Sequence, residues 1–98
     1  MNYTIRWKDC AKSDAVENYL QEKISKFYDF NFVQDNIKIE IVFYQKTREY
    51  TVRINVVVPV KGVIRAEDQS FDVLTSINDC CNKITDQLRR VKTQFKDR

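Results

Sequence analysis

The stretch DVLTSINDCCNKITDQLRRVKTQFKDR, residues 72–98, decides the reading of this chain. Its apolar residues Leu74, Ile77, Cys81, Ile84, Leu88, Val91 and Phe95 alternate three and four apart. At about 3.6 residues per turn they form one stripe along a long helix, so one side is buried. After position 82 the same stretch carries six cations, Lys83, Arg89, Arg90, Lys92, Lys96 and Arg98, against Asp86 and Asp97 alone. The whole chain is only +3, so its net basic charge resides in this helix.

Upstream the pattern changes to alternation, which predicts strands. Asn36–Tyr44 places Ile37, Ile39, Ile41 and Phe43 on one face, and Lys38, Glu40, Val42 and Tyr44 on the other. Arg48–Val58 splits likewise, with Tyr50, Val52, Ile54 and Val56 inward and Thr51, Arg53, Asn55 and Val57 outward. One buried and one wet face is the mark of an antiparallel arrangement, and Lys38, Glu40 and Arg53 read as charge pairs on the wet face. The only proline and only glycine, Pro59 and Gly62, bracket a turn at Val58–Gly62, and a short strand Val63–Ala66 follows. Glu67–Ser70 reads as a polar connection, with Ser70 or Asp72 capping the last helix.

At the N-terminus, Tyr3, Ile5 and Trp7 alternate with polar residues and predict a strand over Asn2–Trp7. Ser13 or Asp14 offers a helix cap, and Asp14 with Glu17 resembles a capping box. Val16, Tyr19, Leu20, Ile24 and Phe27 then keep helical spacing to about Phe27. Phe30 and Phe32, in the connector Tyr28–Asp35, are expected to fold back over the end of the core. The order is β-α-β-β-β-α. This is an α+β fold with a four-stranded mixed sheet and both helices on one face; a right-handed crossover makes the first two strands parallel.

At 98 residues, residues 1–98 are expected to form one domain. A hydrophobic content of 43% with 32% charged residues describes a soluble globular chain. The absence of a membrane-length apolar run or signal-like N-terminus predicts a cytoplasmic protein with no membrane partner. Cys10, Cys80 and Cys81 are an odd set that suits neither a disulfide framework nor a zinc site, so Cys81 is expected in the core with Cys80 beside it. With no histidine, no phosphate loop and no metal-ligand spacing, the chain reads as a non-enzyme without cofactor, metal or small-molecule substrate.

The cations instead suggest phosphate contacts to nucleic acid. Around the helix Lys83 and Arg90 fall opposite the buried stripe, and Arg89 and Lys96 share a flank with Lys92 between them. Lys23 and Lys26 extend the patch if the helices lie side by side. The same cations also suit a plain helix C-terminus, where they complement the dipole. The wet sheet face lacks an aromatic cluster for reading bases, so backbone and shape recognition is the form of RNA binding expected.

Two segments resemble the ribosome hibernation-promoting factor family, also called ribosome-associated inhibitors. One is the run Ala66 to Asn78 followed by Lys83-Ile84, Gln87-Leu88 and Lys92; the other is Lys23 to Tyr28 at the end of the first helix. The resemblance extends over the chain, with Asn78 standing where the family usually has Asp and Leu74 where it often has Tyr. It implies a stress or stationary-phase protein that lodges in the mRNA and tRNA channel of the small ribosomal subunit and silences translation. Carried over, Lys23, Lys26, Lys83, Arg89, Arg90, Lys92 and Lys96 are expected to contact ribosomal RNA phosphates. Of these, Lys83 and Lys92 match motif positions, and the others match the basic character of their region. Ending at Arg98, the chain resembles the family's short form and is expected to be monomeric off the ribosome. The alternatives are a protein-interaction module of the same fold, using the wet sheet face or the Phe30–Phe32 connector, or a general structured-RNA binder.

Overall fold

The computed structural model describes residues 2–59 and 61–96, the last two by backbone alone. The expected positions Phe95 and Lys96 therefore have side chains outside the described residues, as do Val60 in the predicted turn and residues 97–98 entirely. The elements are β1 (Tyr3–Lys8), α1 (Asp14–Ser25), β2 (Ile37–Tyr44), β3 (Glu49–Val58), β4 (Gly62–Ser70) and α2 (Val73–Lys96). They form a four-stranded sheet in the order β1-β2-β3-β4, with β1 parallel to β2 and the other pairs antiparallel. This is the β-α-β-β-β-α order and mixed sheet read from the sequence.

Local chemistry sets each boundary. Ser13 caps α1, its Oγ accepting the Val16 N–H at 3.3 Å. The Asp14–Glu17 capping box is not made. Glu17 instead accepts the Tyr3 hydroxyl at 2.7 Å and meets Lys12 at 3.8 Å, because β1 passes close enough to take its carboxylate. Gln21 donates to the same Tyr3 hydroxyl, so this phenol fastens β1 to α1. α1 ends earlier than its apolar spacing implied, and a 3-10 turn over Lys26–Asp29 carries Phe27 into the core. The Phe30 and Phe32 rings lie 5.8 Å apart and pack against the core, as the lid expected of them.

The turn at Pro59 is followed by Gly62 at φ +93, a conformation glycine adopts without strain. β4 runs well beyond the expected Ala66. It pairs along the full length of β3, from Val58 opposite Gly62 to Tyr50 opposite Ser70. The ladder overrides the poor strand propensity of Glu67, Asp68 and Gln69. Asp72 then starts α2, its Oδ1 accepting the Leu74 N–H at 3.2 Å.

The core lies between the sheet and the two helices. Leu20, Ile24 and Phe27 meet Ile37, Ile39 and Ile41, the inward residues Val52, Ile54, Val56 and Val58, and the α2 stripe. That stripe runs from Ile77 through Cys81, Ile84 and Leu88 to Val91, each at most 4% exposed. Each such Leu or Ile contributes about 1.5–3 kcal/mol. Two positions depart from the periodic reading. Leu74 is 39% exposed, in the first turn of α2. Cys80 is fully buried, its thiol directed at the Ala66 carbonyl at 3.4 Å.

On the opposite face Val42 and Thr51 were expected to be wet, yet they are only 2% and 1% exposed. They sit directly across from each other. Arg53 and Tyr44 lie one row to either side and join above them, Nη2 donating to the tyrosine oxygen at 3.4 Å. The long side chains form a roof that strand alternation does not reveal.

Candidate nucleic-acid interface

α2 lies over β3 and β4 and beside α1, so its exposed residues form two flanks. With Leu88 buried, Gln87 and Arg89 stand about 100° to either side. Gln87 marks the β4 flank, donating to the Arg65 carbonyl at 2.9 Å. Lys83 shares this flank. Its ammonium donates to the Glu67 carbonyl at 2.9 Å and meets Asp68 Oδ1 at 3.0 Å. β4 is an edge strand with outward carbonyls to satisfy, and α2 supplies the donors.

Lys83 does not point straight away from the core, as the helical wheel implies, but turns down onto β4. The side chain is 53% exposed but tied down, since Asp68 faces the helix layer at 18% exposure and needs a cation. Asp68 in turn raises the Lys83 pKa by accepting its hydrogen bond. Lys83 nonetheless lines, with Arg65, Asp86 and Arg90, a shallow groove of about 300 Å³ between α2 and β4.

Arg89 is held by Asp86 at 3.5 Å one turn earlier. Arg90 and Lys92 are exposed and have no ion-pair partner among the described residues. On α1, Lys23 is half-buried with its ammonium 5.3 Å from the centre of the Tyr19 ring, and it is the cation whose charge reaches the Cys81 thiol. Lys26 is exposed in the 3-10 turn. The seven expected residues thus divide. Lys83 and Arg90 share the β4 groove, Arg89 belongs to the other flank, Lys92 is exposed further along α2, Lys23 and Lys26 sit on the neighbouring helical segment, and the Lys96 side chain lies outside the described residues.

Sequence reasoning passed over Arg65. It lines the α2 groove and also a broader depression of about 450 Å³ on the outer face of the sheet. There the register arranges side chains in rows across all four strands. Arg6, Glu40, Arg53 and Glu67 form one row. It is internally neutralised, with Arg53 to Glu40 at 2.6 Å, Arg53 to Glu67 at 3.4 Å and Arg6 to Glu40 at 3.8 Å. The next row is Thr4, Lys38, Asn55 and Arg65. Lys38, expected to pair with a carboxylate, faces Asn55 instead. Alternation alone places these residues outward, but only the register of three ladders aligns them.

Cys80 and Cys81 are unsuited to chemistry. Burial chiefly pushes both thiols up to about 12.

A β-α-β-β-β-α domain with a cationic helix laid along an edge strand is a small α+β domain, and among the described residues its basic groups lie on the surface with none gathered in an enclosed site. The chain belongs to the Sigma 54 modulation protein / S30EA ribosomal protein family, whose model matches residues 3–96. Among curated proteins it is 33% identical over 99 residues to the ribosome hibernation promotion factor of Lactococcus lactis subsp. cremoris (strain MG1363), covering 97% of this chain and 51% of that protein. It is 31% identical over 100 residues to the ribosome hibernation promotion factor of Staphylococcus aureus (strain COL), covering 97% of this chain and 50% of that protein. The chain therefore spans about half the length of these relatives. Among solved structures, the fold matches the N-terminal domain of Thermus thermophilus Protein Y with a TM-score of 0.80 at 20% identity, covering 93% of this chain and 99% of that one. It also matches a ribosomal subunit interface protein from Coxiella burnetii with a TM-score of 0.82 at 21% identity, covering 95% and 99% respectively.

Proposed function

We propose that this chain is a ribosome-binding domain that silences translation by occupying the mRNA and tRNA channel of the small subunit under stress or in stationary phase. The observation that carries this reading is the match to the S30EA family over residues 3–96. The relatives named ribosome hibernation promotion factors support it further. In this reading the contact is electrostatic. Arg90 and Lys92, exposed and without an ion-pair partner among the described residues, reach ribosomal RNA phosphates most readily, while Lys23, Lys26 and Arg89 add charge around them and Lys96 is a further proposed contact. Lys83 contributes through the α2 groove while holding Asp68. In this reading the action is occupancy.

Co-sedimentation with isolated subunits and whole ribosomes across a salt series tests the reading. Salt-sensitive pelleting with small subunits and whole ribosomes, but not with large subunits alone, is expected. Arg90→Glu with Lys92→Glu should abolish pelleting at physiological salt while leaving circular dichroism and Tm unchanged, since neither side chain has an ion-pair partner among the described residues. Undiminished pelleting of the folded double variant would remove α2 from the interface.

A second reading, a protein-interaction module, is favoured by one observation. Phe71 and Leu74, at the start of α2, are 73% and 39% exposed, and an exposed aromatic beside an aliphatic residue suits an apolar anchor. Binding through that pair would respond little to salt and would be lost in Phe71→Ser.

A further inference from the structure

The outer face of the sheet carries two adjacent rows of polar side chains in opposite electrostatic states. Every charge in the row Arg6–Glu40–Arg53–Glu67 is used within the row. In the neighbouring row, Thr4, Lys38, Asn55 and Arg65 occupy consecutive strands, and their side chains make no hydrogen bond or ion pair among the described residues. Two full cations, an amide and a hydroxyl thus stand in line with free donors and no carboxylate of their own. Strand spacing of about 4.8 Å puts Lys38 and Arg65 roughly 10 Å apart at the backbone, with Asn55 between them. On the side away from the neutralised row lie Val57 and the 47% exposed Val63, a directly opposed apolar pair. Arg65 closes the figure, because it also lines the groove that contains Lys83 and Arg90 of α2.

We infer that the row Thr4–Lys38–Asn55–Arg65 is a second phosphate-binding subsite. It takes an RNA strand that passes round the edge of β4 from the α2 groove onto the sheet. The inference rests on the ribosome-binding reading and extends it to a face that the helix cations do not reach. The chemistry favours RNA over a protein segment for two reasons. The free groups are cations and neutral donors, which match phosphodiester and 2′-hydroxyl oxygens. The Val57–Val63 pair beside them offers an apolar surface to ribose or base. Glu40 and Glu67 do not oppose this, since Arg53 and Arg6 hold them.

The test compares three forms of the full chain in co-sedimentation with isolated small subunits over a salt series. These are the wild type, Lys38→Gln with Arg65→Gln, and Arg90→Gln with Lys92→Gln. Both double variants retain every hydrogen bond and ion pair described above except any made by the mutated groups, and circular dichroism checks their folding. If the row binds RNA, the sheet variant lowers the slope of log affinity against log salt by about 1.4–1.8, the value for two lost phosphate contacts. The helix variant lowers it by a similar amount. In an NMR titration with small-subunit RNA fragments, the Asn55 side-chain amide shifts in the wild type. A sheet variant with the wild-type slope, alongside a weakened helix variant, overturns the subsite and leaves the ribosome reading intact. A sheet variant that binds more weakly with an unchanged slope assigns the face to a protein contact and overturns the RNA assignment. No binding by the wild type overturns both readings.

Discussion

Cys80 and Cys81 are adjacent in the chain, and both point inward because α2 rests on β4 on one side of the stripe and near Lys23 of α1 on the other. Cys10 is half-buried, its thiol directed at the Ile41 carbonyl at 3.6 Å. A thiol reagent at pH 8 is therefore expected to modify Cys10 first, and to reach Cys80 and Cys81 only after denaturant unfolds the protein. Counting released chromophore in native and unfolded samples checks this. The sign of the pH dependence follows. Both thiols are held at about 12 in the fold, against about 8.5 in an unfolded chain. Their contribution is fully present below about pH 8.5 and is lost as pH rises from there toward 12, by up to about 1.4 kcal/mol per thiol per pH unit. Urea midpoints at pH 7.5 and 9.5 should fall accordingly, and the fall should shrink in Cys80→Ala with Cys81→Ala.

The Lys83–Asp68 pair makes a second prediction at this scale. Lys83→Met should cost about 0.5–1 kcal/mol as a half-exposed pair is lost. Lys83→Glu should cost more, because it sets two carboxylates together, and Asp68→Lys should restore stability to that variant. Thermal melts of the four forms in a double-mutant cycle measure the coupling.

At the scale of elements, α2 is held by its stripe and by a polar seam along β4. Leu88 is fully buried among residues of the helix layer and sheet, so Leu88→Ala is expected to cost 2–5 kcal/mol, on the order of the usual core truncation. Near the other end of α2, Ser76 is also fully buried, with Oγ 3.1 Å from the Tyr50 carbonyl and 2.9 Å from Ser70 Oγ. Ser76→Ala should cost about 1 kcal/mol by leaving that carbonyl short of a donor. Denaturant titrations give both values. A small loss at Leu88 would mean that α2 is docked less firmly than its burial implies.

The elements also show where sequence reasoning reached and where it stopped. Periods of two and 3.6 identified all four strands and both α-helices, because each buries one face, but not the 3-10 turn at Lys26–Asp29. β4 escaped past Ala66, since its inward residues there are Asp68 and Ser70, which meet Lys83 and Ser76 and not an apolar surface. Val42 and Thr51 were misplaced because a roof of Arg53 and Tyr44 comes from neighbouring rows, and no single strand encodes it. The helical cations were visible as a cluster, but a wheel cannot tell that Lys83 turns down onto β4 while Arg90 meets no ion-pair partner among the described residues. Arg65 and the row through Asn55 depend on register, a property of three pairings at once.

For the whole molecule, the ion pairs are largely exposed and the stabilising burial is apolar. Tm should therefore change by only a few degrees between about 0.05 and 0.5 M salt, as surface pairs contribute little. Ribosome association over the same range should fall by orders of magnitude if phosphates are the partner. Differential scanning fluorimetry and sedimentation on one set of buffers separate the two responses. A parallel fall of both would place the salt sensitivity in folding and not in binding. No helix among the described residues is long and apolar enough to cross a membrane.

β1 differs from the other strands in how it is reached. Tyr3 pairs with Ile37, with the whole of α1 between them, whereas β2, β3 and β4 are joined in turn by short reversals. Closing the longer loop costs more chain entropy, so the meander and α2 have the advantage in assembling first. Synthesis runs the other way, delivering the N-terminal residues before their partners exist. The amphipathic segment around Tyr3, Ile5 and Trp7 must wait, unpaired, until β2 has emerged. Of the four strands, the one synthesised before the others is expected to be the last to find its place.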